Sequence, residues 1–165
     1  MALAFALSKS SDASEIADLR NAAANDLTQR FGNGVWSGQC TERGVLFAQR
    51  NSKVYLARQR GKIVGTLALA TKKPWAIDRS YFTPCARPLY LTAMAVLPAL
   101  QHQGIGRQLL VHAREITQKF PAQAIYLDAY DAVAGAGEFY RACGFRETGR
   151  VVYRNVPLIY FEQLV

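Results

Sequence analysis

The segment Gln101-His102-Gln103-Gly104-Ile105-Gly106-Arg107 has the residue types of an anion cradle. It stands between an apolar run ending at Met94-Ala95-Val96 and a helical pattern in which Ile105, Leu109, Leu110, Ala113 and Ile116 recur on one face. Arg107, Gln108, Arg114, Glu115 and Gln118 fall opposite, the spacing of an amphipathic helix. A helix N-terminus presents N–H groups that have no intrahelical acceptor, and its dipole adds roughly half a positive charge. Glycines there let a ligand reach the backbone, because no Cβ intervenes. Strand, Gly-rich turn and helix therefore predict a phosphate site.

Spacing narrows the ligand. A dinucleotide fingerprint requires Gly-x-Gly-x-x-Gly with an acidic residue about 20 positions later, and a P-loop requires Gly-x-x-x-x-Gly-Lys-Ser/Thr. The chain has neither at this point; it has Gln101-x-x-Gly104-x-Gly106. That pattern, following Met94-Ala95-Val96, resembles the signature of the GNAT N-acetyltransferase superfamily, which grips the pyrophosphate of coenzyme A. A second segment begins Leu127-Asp128-Ala129 and closes Glu138-Phe139-Tyr140-Arg141-Ala142-Cys143-Gly144-Phe145. It resembles the strand, helix, Tyr and Gly-Phe ending of the same family. Two signatures in the right order, with their flanking strands, extend the resemblance over essentially the whole chain.

The resemblance implies transfer of an acetyl group from acetyl-CoA to a primary amine, by direct attack in a ternary complex. An alkyl amine with a pKa of about 10 must lose its proton before it can attack. The family stabilises the developing oxyanion with backbone N–H groups of the splayed cofactor strand, here Met94, Ala95 and Val96. Tyr140 stands at the position of the acid that protonates the leaving thiolate. Asp128, twelve positions earlier, matches an acidic position that some ribosomal-protein acetyltransferases use as base. It also falls near the C-terminal end of a strand, where open α/β sheets present ligand sites. Asp131, Glu42 and a water chain are alternatives, and no acidic residue lies on 89–96. The cofactor-binding set is then Met94, Ala95, Val96, Gln101, His102, Gln103, Gly104, Ile105, Gly106 and Arg107. The family often has Asn seven positions before the Tyr, contacting the pantetheine, and this chain has Val133 there. Cys143 reads as a small buried hydrophobe, since no His neighbours it to make it a nucleophile.

These residues need a scaffold. Asp12-Ala13-Ser14-Glu15 reads as a capped helix start, with Asp12 or Ser14 accepting from the first N–H groups. Ile16, Leu19, Ala23 and Leu27 continue that helix to Phe31-Gly32, and Thr41 caps a second one ending near Asn51. Strands are expected at 54–58 and 63–70 around an Arg60-Gly61-Lys62 turn, then at 89–96, 124–129, 145–153 and 158–161. Asn155-Val156-Pro157 should join the last two, and 134–143 should be a short helix. The unit from 89 to 129 implies a parallel strand pair with a right-handed crossover. The long connection 71–88, with Trp75, Tyr81 and Phe82, has the length of a binding loop. Trp36 lies in a second connector that helps wall the acceptor site in the family. The expected architecture is α/β: one GNAT-type domain over 1–165, three layers, a mixed sheet of six to seven strands and about four helices.

Composition sets the outer limits. With 165 residues, half of them apolar, the chain can bury one core. Cys40, Cys85 and Cys143 are scattered and, with two histidines, show no metal-ligand spacing, so no metal is expected. They point to a reducing compartment, and residues 1–7 are too short an apolar start for a signal segment, so a cytoplasmic location is expected. No apolar run reaches the roughly 18 residues of a membrane span. The 20 Lys+Arg against 12 Asp+Glu give +8, a surface that attracts the phosphates of coenzyme A or of nucleic acid. Dispersed charge and the lack of a nucleic-acid-binding signature make nucleic acid the lesser partner. Two further readings stand beside the enzyme: a non-catalytic CoA-binding or nucleic-acid-associated module, and acetylation of an aminoacyl-tRNA amine. A homodimer is compatible with the sequence, and the acceptor has no signature in it.

Overall fold

Arg60 and Gly61 both take left-handed backbone, φ 52° and 77°, and turn the strand Lys53–Gln59 (β2) directly into Lys62–Ala70 (β3). A two-residue turn with positive φ at both positions matches the right-handed twist of its strands, and Gln59 pairs with Lys62 across it. The computed structural model describes residues 2–165. A seven-stranded sheet runs in the order β1-β2-β3-β4-β5-β7-β6, where β1 is Ala4–Leu7, β4 Pro88–Val96, β5 Ala124–Tyr130, β6 Arg146–Tyr153 and β7 Val156–Leu164. Four α-helices accompany it among the described residues: α1 Ala13–Phe31, α2 Glu42–Asn51, α3 Ile105–Lys119 and α4 Gly137–Ala142. The β4/β5 pair is parallel and the β1/β2, β2/β3, β5/β7 and β6/β7 pairs are antiparallel, so the sheet is mixed, as expected.

The chain forms two compact units. The first is Met1–Leu69 with Ala93–His112, and the second Ala70–Thr92 with Ala113–Val165. In the first, Ile16 and Leu19 of α1 and Val45 of α2 are buried with Val54, Leu56 and Ile63 of the hairpin. Thr41 caps α2, its side chain accepting from Gly44 N–H at 3.0 Å. The expected cap of α1 is not made. Asp12 instead accepts from Lys9 N–H at 2.8 Å and pairs with Arg58 at 2.5 Å, so its carboxylate fastens the helix start to β2. Glu15 adds a second tie, accepting from Ile63 N–H at 2.8 Å.

The second unit is built on aromatics. Tyr90, Tyr126 and Tyr160 are buried with Ile77 and Phe82 of the long connection, and Phe82 stacks on Tyr126 at 4.3 Å. Buried Glu162 holds the same connection, accepting from the Thr83 hydroxyl at 2.8 Å and pairing with Arg146 at 2.6 Å. Three expectations are corrected here. Residues 4–7 form β1, for which four residues gave too short a pattern. The last hairpin turns at Arg154-Asn155, φ 49° and 66°, so Val156 and Pro157 belong to a longer β7 rather than to the connector. α4 begins at Gly137, not at 134, because residues 131–136 are held in a turn by Gly135 N–H donating to Ala132 C=O at 2.9 Å.

Candidate active site

In the first unit, the expected cofactor-binding residues follow one another along a single turn of chain. β4 carries left-handed backbone at Ala93, φ 51°, just before Met94, Ala95 and Val96. A non-glycine residue in that region is uncommon and interrupts regular pairing. Leu97 N–H then donates to Val64 C=O at 2.9 Å, and a 3-10 turn follows at Pro98–Leu100. Gln101 folds back so that its side-chain amide donates to Val96 C=O at 3.2 Å, which ties the glycine segment to the end of β4. His102 and Gly104 are both left-handed, φ 62° and 85°, and His102, Gln103, Gly104 and Arg107 are exposed.

α3 starts at once, its first internal bond running from Gln108 N–H to Gly104 C=O at 3.0 Å. The N–H groups of Ile105 and Gly106 thus precede the ladder, as the first turn of a helix requires. A Cβ on Gly104 would meet nothing nearer than Gln108 Nε2 at 4.0 Å, so the space above this backbone is open. Open, positively polarised backbone is the environment a pyrophosphate fits. Gly65 serves the other side of the helix. A Cβ there would come within 2.7 Å of Leu109 Cδ1, so α3 lies almost on the backbone of β3.

In the second unit, β4 and β5 pair only through Pro88–Tyr90 with Ala124–Tyr126 among the described residues. Asp128 lies beyond that register, partly exposed and paired across β5/β7 with Tyr160. Burial raises its carboxyl above the usual carboxylate range. Alternation along β5 puts Tyr126, Asp128 and Tyr130 on one face and Ile125, Leu127 and Ala129 on the other.

Tyr140 belongs to the second face. Its ring lies 5.9 Å from that of Phe161, the cross-strand partner of Leu127, and 5.6 Å from Phe145. It is buried, and burial first, then the charge of Asp128, raises its phenol far above the ordinary value of about 10. Asp128 also raises Tyr130 and Tyr160, each after burial. The two expected catalytic side chains therefore approach β5 from opposite faces while remaining electrostatically in touch.

The other candidates fall into place around them. Asp131 is paired with Arg150 at 3.3 Å, and Glu42 lies in the first turn of α2. Val133, at the position where the family often has Asn, is exposed. Trp36 lies in a 3-10 turn and donates to Gly32 C=O at 3.0 Å.

A family pattern described as an acetyltransferase (GNAT) domain matches residues 50–147, more than half of the chain. The chain belongs to the GNAT acetyltransferase family. An aminoglycoside N(6')-acetyltransferase type 1 of Stenotrophomonas maltophilia is 36% identical over 69 residues, 42% of this chain and 45% of that protein. The GNAT chain thus spans under half the length of this curated relative. Solved structures share the fold over its whole length. PaiA N-acetyltransferase from Thermoplasma acidophilum, in complex with coenzyme A, has a TM-score of 0.72 at 14% identity and covers 100% of both chains. A ribosomal-protein-alanine N-acetyltransferase from Brucella melitensis has a TM-score of 0.71 at 18% identity, over 98% of this chain and 99% of that one.

One feature of this GNAT domain escaped the sequence pattern. The second unit holds a cleft of about 390 Å³, walled by the connection at Trp75, Asp78 and Tyr81 and by Val152, Tyr153 and Tyr160 of the terminal hairpin. The aromatics of the connection were a visible signal, but nothing in the sequence tied them to β6.

Proposed function

We propose that this chain is a single-domain N-acetyltransferase that moves an acetyl group from acetyl-CoA to a primary amine within a ternary complex. The observation that carries the reading is the placement of Asp128 and Tyr140 on opposite faces of β5 with a shared electrostatic environment. Nitrogen and sulfur are bonded to the same carbon in the tetrahedral intermediate, so what the chemistry needs is a base and an acid that both reach one centre, and the electrostatic proximity of the two side chains supports that.

Acetyl-CoA supplies the acyl group as a thioester. The first turn of α3, with Gly104, Ile105, Gly106 and Arg107, would hold its pyrophosphate, and the open space above Gly104 fits that role. Gln101, His102 and Gln103 would complete the cradle, with Gln101 keeping it in register with β4. Backbone N–H groups of Met94, Ala95 and Val96 would face the carbonyl oxygen as charge develops there. Asp128, whose raised pKa makes it a better proton acceptor than an exposed carboxylate, would take the proton from the amine nitrogen. As the N–C bond forms and the C–S bond breaks, Tyr140 would give its phenolic proton to sulfur. The products are the N-acetyl amine and the free thiol.

The sequence similarity to an aminoglycoside acetyltransferase favours a polar, amine-bearing acceptor. The setting we propose is cytoplasmic, where the free thiols of Cys40, Cys85 and Cys143 would stay reduced. No helix among the described residues is long and apolar enough to cross a membrane. Calorimetric titration with acetyl-CoA, followed by thiol release in an amine panel, tests the reading. Binding with release for at least one amine is expected. No binding overturns it, and binding with no release across amines, peptides and aminoacyl-tRNA would leave a CoA-binding module instead.

A further inference from the structure

We infer that the cleft bounded by Trp75, Asp78, Tyr81, Val152, Tyr153 and Tyr160 binds a cationic group, an ammonium or guanidinium, carried by the acceptor at a distance from its reacting amine. This rests on the acetyl-transfer reading for its place in the reaction, but its chemistry stands on the cleft itself.

The walls are built, not incidental. Tyr160 fixes the connection by accepting from Asp78 N–H at 3.2 Å and donating to Ala76 C=O. Tyr81 stands edge-on to Tyr160, with ring centroids 5.5 Å apart. It lies directly on the backbone of β6, where a Cβ at Gly149 would come within 2.3 Å of Tyr81 Cδ1. Trp75 remains 82% exposed, an indole whose faces are spent on no packing that burial would require. Aromatic faces at one rim attract cations through their quadrupole.

Asp78 supplies the charge. Both hydrogen bonds to its carboxylate fall on Oδ1, from Ser80 N–H at 3.0 Å and the Ser80 hydroxyl at 2.7 Å. Oδ2 accepts none among the described residues. Those bonds, and the charge of Lys73, hold the carboxyl below its ordinary range, so it is ionised at neutral pH. Among the nearby cations Arg154 already covers the Tyr153 ring at 5.2 Å, which leaves Trp75 and Tyr81 as the aromatic walls for a ligand, and two others are committed to backbone. Lys73 donates to Pro74 and Ile77 carbonyls at 3.0 and 2.7 Å, and Arg79 to Cys85 C=O. An anionic ligand would be repelled by Asp78, while a neutral one could gain a hydrogen bond from it but no ion pair.

Direction links the cleft to chemistry. Tyr160, its inner wall, is the cross-strand partner of Asp128 on the same face of the sheet. Paired side chains of this kind have Cβ atoms roughly 5 Å apart. An acceptor can therefore rest a charged end in the cleft and extend its amine toward Asp128.

Tryptophan fluorescence provides a readout independent of turnover. Trp36 and Trp75 are the only tryptophans, so Trp36→Phe leaves Trp75 as the sole reporter. Argininamide and its isostere citrullinamide, both Nα-acetylated so that only the former carries a charge, are titrated into that protein and into the same protein carrying Asp78→Asn. Saturable quenching by argininamide is expected, with citrullinamide roughly tenfold weaker and Asp78→Asn weakening argininamide about fivefold or more. Gly149→Ala, which displaces Tyr81, should weaken it as well. Equal binding of the two probes, tighter binding of glutamate, or no saturable signal overturns the proposal. Thiol release from the amine panel without any charge preference would sink the cleft and leave acetyl transfer standing. Charge-selective quenching without thiol release from any acceptor would do the reverse.

Discussion

Asp128 raises the pKa of Tyr140 although the two residues belong to opposite faces of β5. A carboxylate destabilises a nearby phenolate and leaves the neutral phenol untouched, so this proximity keeps the tyrosine proton in place. The same carboxyl, raised by its own burial, is the stronger base for it. The proximity would thus sharpen both of the proposed roles.

Tyr140→Phe removes the proton and keeps the ring among Phe139, Phe145 and Phe161. We expect kcat to fall about 10²-fold, the low end for a positioned general acid, with CoA affinity and melting temperature little changed. Steady-state kinetics beside calorimetry checks this. Unaltered kcat would remove Tyr140 as the acid. In the native enzyme the raised phenol pKa means that kcat should not decline through pH 10 on account of Tyr140.

Asp128 should set the acidic limb of the pH–rate profile. The base works in its ionised form, so activity is lost as pH falls through a pKa lying above the ordinary carboxyl value of about 3.9. Asp128→Asn should abolish that limb and lower kcat about 10²-fold or more. A limb that persists in the variant would assign the titration to another group, with Asp131 the next carboxylate along the chain.

The sequence disclosed what local pattern and chemistry control. The helix from Ile105 was legible because its apolar face repeats over several turns, and the strand from 124 because it is a continuous buried run. Thr41 announced its own cap, since a hydroxyl before Glu42 has one obvious use. Asp12 misled for the opposite reason. A carboxylate at a helix start is claimed by whichever donors the fold brings, and Arg58 lies 46 residues away in sequence. Strand β1 is four residues long and gains its hydrogen bonds from β2, so no local signal reports it. The cleft was half visible: Trp75 and Tyr81 marked the connection, but Gly149 offers room for Tyr81 only once β6 is folded beside it.

Glu147 bridges two arginines of the second unit, at 2.6 Å from Arg150 and 2.8 Å from Arg141 of α4. Hydrogen bonds from Arg150, then Arg141, hold its pKa at about 2. A depressed carboxyl pKa contributes stability that is present above the unfolded value and lost as pH falls. The loss should therefore run from about 4.5 down to about 2. Because the group is partly exposed and screened, its worth at neutral pH should stay under roughly 1 kcal/mol. Thermal melts of Glu147→Gln should match the native protein below pH 2 and fall slightly short of it at pH 7. A gap independent of pH would show that packing, not charge, is lost.

Gly104 separates binding from folding. At φ 85° any L-residue is strained by roughly 1–2 kcal/mol, yet a Cβ there would touch nothing nearer than Gln108 Nε2 at 4.0 Å. Gly104→Ala should therefore fold, with a melting temperature lowered by only a few degrees, of the order expected for that strain. The added methyl would stand in the open space above the first turn of α3, where in the proposed site the pyrophosphate would approach the N–H groups of Ile105 and Gly106. Calorimetry should show CoA affinity reduced at least tenfold, about 1.4 kcal/mol, with dephospho-CoA reduced in the same ratio because the diphosphate is common to both. Undiminished affinity would remove the α3 N-terminus as the pyrophosphate site. An equal loss for pantetheine, which has no diphosphate, would trace the effect to a distorted β4 end rather than to the cradle.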